Sequence, residues 1–320
     1  MRGRLNNSLI GNDVAKINRT HAVNENSFEA YVEILKRLIT KRGDLQHVSS
    51  KRQLEIIDQL CDFPLGRFIL ERKGANGRWT DYMVNHPNLG KISGLNSDGI
   101  PFSSFEDWFL NECPIVYAHQ ERFQIFQILA QHLLKDNIVL ASIPCGLMRD
   151  LILLDYSGID NFELIGIDID PESLNEAKTL AHQNRIENIK LIEQDAWALS
   201  FNEEIDVITS SGLNVYESDP NKVLELYTRF YNALKPGGYL ITSVLTYPPG
   251  ESTETDWDTR NISPESLLLE RILHKDILGI KWSNFRRSSE LENEFRQVGF
   301  SEVSVYFDKN RIFPTILARK

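Results

Sequence analysis

The chain has 320 residues, 42% of them hydrophobic and 25% charged, and it carries a formal net charge of −10. This composition is typical of a folded globular protein long enough for two domains, and its acidity makes nucleic acid an unexpected partner because phosphate backbones repel it. Its three cysteines, Cys61, Cys113 and Cys145, are too few and too scattered for a disulfide framework or a CxxC metal site.

The first twenty residues are polar and lack an apolar segment of signal-peptide length. No run in the sequence approaches the roughly 18 apolar residues that a membrane helix needs. We therefore expect a cytoplasmic protein without a membrane span.

A helical pattern begins at Phe28. Apolar residues are spaced three and four apart in "SFEAYVEILKRLITKRG" and "SSKRQLEIIDQLCDF", and "PLGRFILERKG" follows a proline. The segment "NGRWTDYMVNHPNLGKISGLNSDGIP" is rich in Gly, Asn and Pro, which predicts a long ordered loop. A capping-box pattern at Ser103 and Glu106 then starts one helix, and Pro114 starts a longer one.

Short apolar runs alternating with helical stretches begin at Ile138. The runs are "NIVLASI", "FELIGIDI", "NIKLIEQDA", "IDVITSSG" and "GYLITSVL". Because both faces of such strands must be covered, they predict an α/β fold with a doubly wound, mostly parallel sheet. Two more runs, "SEVSVYFDK" and "RIFPTILARK", are joined by too few residues for a crossover helix and should pair antiparallel.

We therefore predict a helical N-terminal cap over residues 1–112 and a sheet domain over 113–320. The sheet should have seven strands, with the strand near 311–319 antiparallel and inserted beside the strand near 301–307.

The loop after the first strand, in "LASIPCGLMRDL", contains a single glycine, Gly146, and should lead into a helix that continues as "LILLDYSG". In an open α/β sheet, ligands bind beyond the carboxyl ends of the strands. Asp168 ends the second strand 22 positions after Gly146, which suits a carboxylate that accepts both ribose hydroxyls of an adenosine cofactor. The alternative, Asp170, precedes a proline and fits the N-cap of the next helix.

Asp195 ends the third strand and could accept a hydrogen bond from an adenine amino group, while the Ala196 N–H reaches a ring nitrogen. A solvated loop acid is the alternative interpretation of Asp195.

The stretches "IGIDIDPESLNEAK", "EQDAWAL" and above all "LKPGGYLITSVL" resemble successive motifs of class I S-adenosylmethionine-dependent methyltransferases. The resemblance covers roughly residues 115–320. It also suggests why one glycine suffices, because S-adenosylmethionine contains no phosphate and a dinucleotide does. The family usually has a GxGxG-like loop, so "PCGLMRD" departs from its pattern.

The resemblance implies a cofactor, S-adenosylmethionine, and assigns it contacts. Pro144, Cys145 and Gly146 would line its methionine part, with Cys145 a small spacer rather than a nucleophile. Ser210 and Ser211 would hold the ammonium through backbone carbonyls. Tyr117 is an additional contact, or else a helix-packing residue.

For the methyl acceptor the sequence offers no evident base, no D/N-P-P-Y motif and no clustered metal ligands. Asn214 and Tyr216 could hydrogen-bond an acceptor, although Asn214 could instead cap the helix near Asp219. Tyr247 and Trp257 lie in the long polar loop after the fifth strand and are further candidates. His119 could be a base, but packing is the favoured interpretation.

We expect a small-molecule acceptor held under the helical cap, and the cap could also form a homodimer interface. Two other functions stay open. One is a non-catalytic protein that binds S-adenosylmethionine or a related nucleoside, and the other is a nicotinamide-dependent oxidoreductase.

Overall fold

The computed structural model describes residues 27–250, 252, 255–280 and 284–320. The first twenty residues, which bear on the predicted absence of a signal peptide, lie outside these ranges. The helices are α1 (Ser27–Arg42), α2 (Ser50–Cys61), α3 (Pro64–Arg72), α4 (Gly77–Asn85), α5 (Gly90–Ser93), α6 (Ser104–Asn111), α7 (Pro114–His132), α8 (Arg149–Ile152), α9 (Pro171–Gln183), α10 (Pro220–Ala233), α11 (Pro264–Arg271) and α12 (Ser288–Val298).

The strands are β1 (Ile138–Ser142), β2 (Phe162–Asp168), β3 (Ile189–Glu193), β4 (Ile205–Ser210), β5 (Leu234–Ser243), β6 (Leu245–Thr246), β7 (Phe285–Arg286), β8 (Glu302–Tyr306) and β9 (Thr315–Arg319). Seven of them form one sheet in the order β3-β2-β1-β4-β5-β9-β8, and β6 pairs with β7. Strands β1 to β5 are parallel, whereas β9 runs antiparallel between β5 and β8. The predicted fold is confirmed, including the inserted last strand, and this strand order argues against the oxidoreductase alternative.

The described residues fall into two compact units that divide the chain differently from the predicted boundary at 112/113. The first unit contains residues 27–75, 95–109 and 267–280, and the second contains 76–94, 110–266 and 284–320. Residues 76–94 belong to the second unit because α4 contacts α7 and α9, which flank the sheet.

The first unit contains the predicted N-terminal helices. Helix α2 begins after Ser49, whose hydroxyl accepts a hydrogen bond from the Arg52 N–H at 3.1 Å. Helix α3 begins at Pro64, where a proline lacks only an N–H that the first turn does not use. A π-helical segment, Ile272–Ile277, returns to this unit, and the Asp276 carboxylate contacts His47 Nε2 at 2.7 Å.

The long loop predicted over "NGRWTDYMVNHPNLGKISGLNSDGIP" is wrong for its first part, which forms α4 and α5. The Asn76 side chain accepts a hydrogen bond from the Trp79 N–H at 3.1 Å and caps α4. Met83 and Val84 are buried on this helix. The density of Gly, Asn and Pro concealed a cap followed by apolar residues at helical spacing.

The helix predicted to continue through "LILLDYSG" is also wrong, because α8 ends at Ile152. The Gln131 side chain binds the backbone of Asp155, accepting from its N–H at 2.8 Å and donating to its carbonyl at 2.9 Å. The Tyr156 hydroxyl donates to the Leu151 carbonyl at 2.9 Å. These bonds fix a turn where the apolar spacing alone predicts more helix.

The "LKPGG" segment forms the first half of β5. The pairing of β4 with β5 shifts register between Ile205 and Val207. Gly237 has φ +79°, and a Cβ on Gly238 would lie 2.9 Å from the Asp206 carbonyl oxygen. Glycines are required here because the strand bulges and the backbones approach closely.

Helices cover both faces of the sheet, as the run of buried strands predicts. One apolar cluster joins Ala141 and Ile165 to α10 and α12, and the other joins Leu140 and Leu164 to α7 and α9. Alternate residues of each strand therefore enter opposite clusters. The ends of the strands remain available to position polar side chains.

Candidate active site

The parallel strands end at one edge of the sheet, which we call the carboxyl edge. There Asp168, the last residue of β2, lies within reach of the loop after β1. Its Oδ2 accepts a hydrogen bond from the Gly146 N–H at 2.9 Å, and its Oδ1 accepts one from the Asp170 N–H at 3.0 Å. A carboxylate has about four acceptor sites, so Asp168 keeps capacity for further donors.

Gly146 has φ +49°, a left-handed conformation that favours glycine. Its neighbour in space is Gly77, the first residue of α4: a Cβ on Gly146 would lie 3.5 Å from the Gly77 Cα. A Cβ on Gly77 would lie 2.5 Å from the Ser173 Oγ and 3.1 Å from the Gly146 Cα. The loop after β1 thus packs against a second glycine that comes from α4.

An ion pair strengthens this contact. The Arg149 guanidinium forms two bonds with the Asp81 carboxylate of α4, one of them from Nη2 to Oδ2 at 2.9 Å, and both side chains are mostly buried. Paired donors matching paired acceptors give such contacts defined geometry. Helix α4 therefore contacts the loop after β1 through Gly77, at its start, and the first residue of α8 through Asp81, in its middle, an arrangement that the sequence did not reveal.

The loop residues predicted to line the methionine part take different positions. Pro144 follows a cis peptide bond. Cys145 is buried, and its Sγ lies 3.1 Å from the position of a Cβ on Gly166, so it packs onto β2 as a small spacer. Burial raises the pKa of this thiol, which disfavours the thiolate.

Asp150 is a further site residue that sequence reasoning missed. Its carboxylate accepts hydrogen bonds from the Thr209 hydroxyl at 2.6 Å and the Ser142 hydroxyl at 3.2 Å. Desolvation raises its pKa, and the two hydroxyl bonds oppose that rise. Through these bonds Asp150 links the ends of β1 and β4. In the sequence, its position four residues after Gly146 was the signal that could have indicated it.

The other predicted acids have local partners. Asp170 caps α9, accepting from the Glu172 N–H at 3.0 Å and the Ser173 hydroxyl at 2.7 Å, as its alternative interpretation predicts. Asp195 is exposed and accepts a bond from the Trp197 N–H at 2.9 Å, while Ala196 is buried.

Ile169 is a further residue of this edge that the sequence did not indicate. It follows Asp168 directly, and its side chain is 69% exposed, which is unusually high for isoleucine.

After β4, the predicted ammonium contacts Ser210 and Ser211 differ in exposure. Ser210 is buried, and its carbonyl accepts a bond from the Thr242 hydroxyl at 2.9 Å, whereas Ser211 is exposed. Gly212 follows with φ +79°, and a Cβ there would lie 3.6 Å from the Arg122 Nη1. Arg122 comes from α7 and is only 4% exposed.

Asn214 is buried rather than open to solvent. Its Nδ2 donates to the Tyr227 hydroxyl at 2.5 Å and to the Ser243 carbonyl at 3.0 Å. Its Oδ1 is inaccessible and has no partner among the described residues. The interpretation of Asn214 as a helix cap is wrong, because Asp219 caps α10 by accepting a bond from the Asn221 N–H.

The remaining acceptor candidates differ in exposure, and Tyr216 lies close enough to Arg122 to interact with it electrostatically. Tyr216 is 61% exposed, Tyr247 is half-buried against the Phe285 ring, and Trp257 is 6% exposed. The Trp257 indole N–H donates to the Thr246 carbonyl at 3.3 Å, so this side chain packs in the core. Burial of that kind leaves little surface for a ligand.

A cleft of about 340 Å³ lies at the start of α7, next to the loop between β8 and β9. Tyr117, predicted as a cofactor contact, lies here. The other lining residues come from the end of α6, the start of α7, the start of α11 with the loop before it, and the loop between β8 and β9: Asn111, Glu112, Pro114, Asn261, Ile262, Ser263, Ser266, Lys309 and Asn310. Five of these nine side chains carry an amide or a hydroxyl group, which can orient a small molecule by hydrogen bonds.

His119 lies near this cleft, with its Nδ1 2.9 Å from the Ile115 carbonyl oxygen and its ring 4.4 Å from that of Phe313. These contacts agree with the packing interpretation.

Within the described ranges, no three His, Cys, Asp or Glu side chains are placed to hold a metal ion. No helix of the described part is long and apolar enough to cross a membrane.

Comparison with known proteins gives three findings. Residues 134–290 match the family model described as "Methyltransferase domain". A possible exported protein from Bordetella parapertussis, known from a crystal structure, is 36% identical over 94% of this chain and 97% of its own, with a TM-score of 0.85. No curated protein matches the chain.

Two more distant structures also align. The apo S-adenosylmethionine-dependent methyltransferase SibL is 13% identical over 84% of this chain and 75% of its own, with a TM-score of 0.47. A possible histamine N-methyltransferase from Thermotoga maritima is 17% identical over 75% of this chain and 99% of its own, with a TM-score of 0.42. These two likenesses are too distant to indicate a substrate.

The matched domain spans the loop after β1, Asp168 and the strands up to β5, and the strand order is the one that the family resemblance implies. The chain thus belongs to the same family as the Bordetella protein, its residues 134–290 match a methyltransferase domain, and its sheet has the fold of the class I S-adenosylmethionine-dependent methyltransferases.

Proposed function

We propose that the chain transfers a methyl group from S-adenosylmethionine to a small-molecule acceptor, and that Asp168 holds the cofactor ribose. The arrangement of Asp168 carries this proposal. Two backbone N–H groups fix its carboxylate at the end of β2, and in the nearby loop the N–H groups of Cys145, Gly146 and Met148 are bonded within the chain and so are not available to a pyrophosphate. When bound, the cofactor supplies an electrophilic methyl group on a sulfonium.

The neighbouring residues suit the rest of the cofactor. Ile169 offers an exposed apolar surface beside Asp168 on which a flat adenine can pack. Asp195, already oriented by the Trp197 N–H, is placed to accept from an exocyclic amine. Ser211 is an exposed residue after β4, where its backbone carbonyl can accept from an ammonium.

The acceptor site is proposed at the ends of β4 and β5 together with the cleft beside Tyr117. Methyl transfer needs an aligned acceptor and little water. A cleft of about 340 Å³ fits a small molecule, and the acidic chain disfavours a polyanion. The cytoplasmic location, the homodimer and the position of the helical cap over the acceptor stay predictions.

Calorimetry tests the cofactor assignment. We expect micromolar affinity for S-adenosylmethionine and S-adenosylhomocysteine and none for NAD. Tight NAD binding without binding of either sulfur compound would refute the assignment.

Filter binding with mixed RNA and DNA at low salt tests the class of the methyl acceptor. Micromolar binding that falls steeply with salt would refute the proposal that the acceptor is a small molecule.

A non-catalytic nucleoside-binding protein is the second candidate, favoured by the packing of Gly77 on the loop after β1. Methyl transfer from labelled cofactor to a pool of small metabolites separates the two functions. Incorporation that requires Asp168 supports the enzyme. Cofactor binding without incorporation into any pool supports the second candidate.

A further inference from the structure

Arg122 is a buried cation at the acceptor end of the sheet. Its Nη1 donates to the Ser243 Oγ at 3.3 Å, and its guanidinium lies 4.7 Å from the centre of the Phe313 ring. Among the described residues no carboxylate forms an ion pair with it. One long hydrogen bond and a ring face leave most of its five N–H donors without an acceptor.

The neighbouring ionisable groups do not satisfy these donors. Tyr216 and Asp308 interact electrostatically with Arg122, but among the described residues neither accepts a hydrogen bond from it. The Asp308 carboxylate instead accepts bonds from the N–H groups of its own loop at Asn310, Ile312 and Phe313, between 2.7 and 3.1 Å. Burial lowers the pKa of Arg122 to about 10, which still leaves it charged at neutral pH. A buried charge without matching acceptors is strongly unfavourable in a folded protein.

The guanidinium is not completely sealed. Arg42 Nε and Arg319 Nε are inaccessible to solvent and have no partner among the described residues. No nitrogen of Arg122 combines these two properties. The residue that faces it is Gly212, which has no side chain to cover Nη1 and Nη2. A ligand group can therefore approach where a larger residue at position 212 would stand.

The location points to the acceptor rather than to the ribose or adenine of the cofactor. Arg122 contacts the end of β5 and the loop between β8 and β9, whereas Gly146 and Asp168 lie at the ends of β1 and β2. One guanidinium balances one negative charge. A dianion would add a second charge close to Asp308, so a monoanion is the better match.

We propose that Arg122 is a specificity-determining residue that binds a carboxylate of the methyl acceptor. The planar fork of the guanidinium matches the two oxygens of a carboxylate. The assignment rests on the proposed function, because it takes this region as the acceptor site.

Simple carboxylates with matched neutral amides test the assignment: benzoate against benzamide, and butanoate against butanamide. Ligand-observed NMR should give at least tenfold tighter binding of one carboxylate than of its amide in wild type. Arg122→Met should abolish this preference and Arg122→Lys should keep part of it. Arg229→Gln, at a surface pair with Glu225, should leave it unchanged. Equal behaviour of acids and amides in wild type, or a preference that survives Arg122→Met, overturns the assignment.

Stability separates ligand recognition from a structural role. Without ligand, Arg122→Met should melt at the wild-type temperature or higher, because it removes a poorly satisfied buried charge. A lower melting temperature together with an unchanged carboxylate preference would make Arg122 a structural residue and overturn the assignment.

The cofactor also has a carboxylate, so a further comparison uses S-adenosylhomocysteine and 5′-methylthioadenosine, which lacks the amino-acid part. Arg122→Met should leave the ratio of their affinities unchanged. A selective loss of S-adenosylhomocysteine would place Arg122 in the cofactor site and overturn the acceptor assignment. If wild type binds neither nucleoside but keeps its carboxylate preference, the proposed function fails while the anion site stands.

Discussion

The two halves of the carboxyl edge treat their buried polar groups differently. At the ends of β1 and β2, Asp168 and Asp150 are bonded by N–H and hydroxyl groups of the chain itself. In the loop after β4, at the end of β5 and at the start of β9, the Asn214 Oδ1 and the Thr315 Oγ1 have no partner in the described part of the chain, and Arg122 has one long bond.

This difference teaches where the chain fixes its own geometry and where a ligand can still change the energy. Satisfied groups are held in place before any ligand arrives, which suits a cofactor common to a family. Unsatisfied buried groups cost stability until something bonds them, which suits recognition of a particular acceptor.

Asp168→Ala should have the largest effect on the first half. We expect cofactor affinity to fall by about 1.5–3 kcal/mol, the range for a hydrogen bond to a charged group. Calorimetry with S-adenosylhomocysteine measures it, and Asp170→Ala is the control because that residue caps α9. A larger loss of affinity in Asp170→Ala than in Asp168→Ala would reverse the roles of the two acids.

The sequence predicted the sheet and the positions of the acids after its strands, because the hydrophobic periodicity of a strand and the residues at its end are visible in a short stretch of sequence. Asp168, Asp170 and Cys145 could be interpreted from neighbours in the chain. Contacts between distant segments had no such signal: Gly77 against Gly146, and Arg122 against Ser243, are 69 and 121 residues apart. Such pairs become neighbours only once the helices pack on the sheet.

Two buried threonines compare the halves directly. Thr209 donates to Asp150 at 2.6 Å, whereas the Thr315 hydroxyl has no described partner. Thr209→Val should lower the free energy of unfolding by about 1.5–3 kcal/mol, and Thr315→Val should raise it by about 1 kcal/mol or leave it unchanged. Urea denaturation measures both. Equal losses in the two variants would remove the distinction between the halves.

Gly77→Ala tests whether α4 packs tightly on the loop after β1. The new methyl group would lie 2.5 Å from the Ser173 Oγ and 3.1 Å from the Gly146 Cα, so we expect a loss of about 1–3 kcal/mol in stability. Gly74→Ala is the matched control, since nothing lies within 4 Å of its added methyl group. Thermal unfolding that ranks the two variants equally would show that the contact is loose.

The smallest effect concerns pH. Desolvation raises the pKa of Asp150 above its ordinary 3.8, so the folded protein keeps this proton to a higher pH than the unfolded chain. Its contribution therefore falls as pH rises from about 3.8 through the folded pKa. Asp150→Asn should remove that fall, as measured by chemical denaturation from pH 3.5 to 7.

Exposed Asp155 gives the opposite sign, because hydrogen bonds from Ser157 lower its pKa. Its contribution is present above pH 3.8 and lost as pH falls, so Asp155→Asn should remove a gain with rising pH. Identical pH profiles for the two variants would contradict the buried environment of Asp150.

Native mass spectrometry of the freshly purified chain, followed by release and identification of any bound nucleoside, tests most directly that the first half holds S-adenosylmethionine. The predicted result is a mass shift that matches S-adenosylmethionine or S-adenosylhomocysteine and is absent from Asp168→Ala. A bound nicotinamide dinucleotide, or a bound nucleoside that Asp168→Ala retains in full, would contradict it.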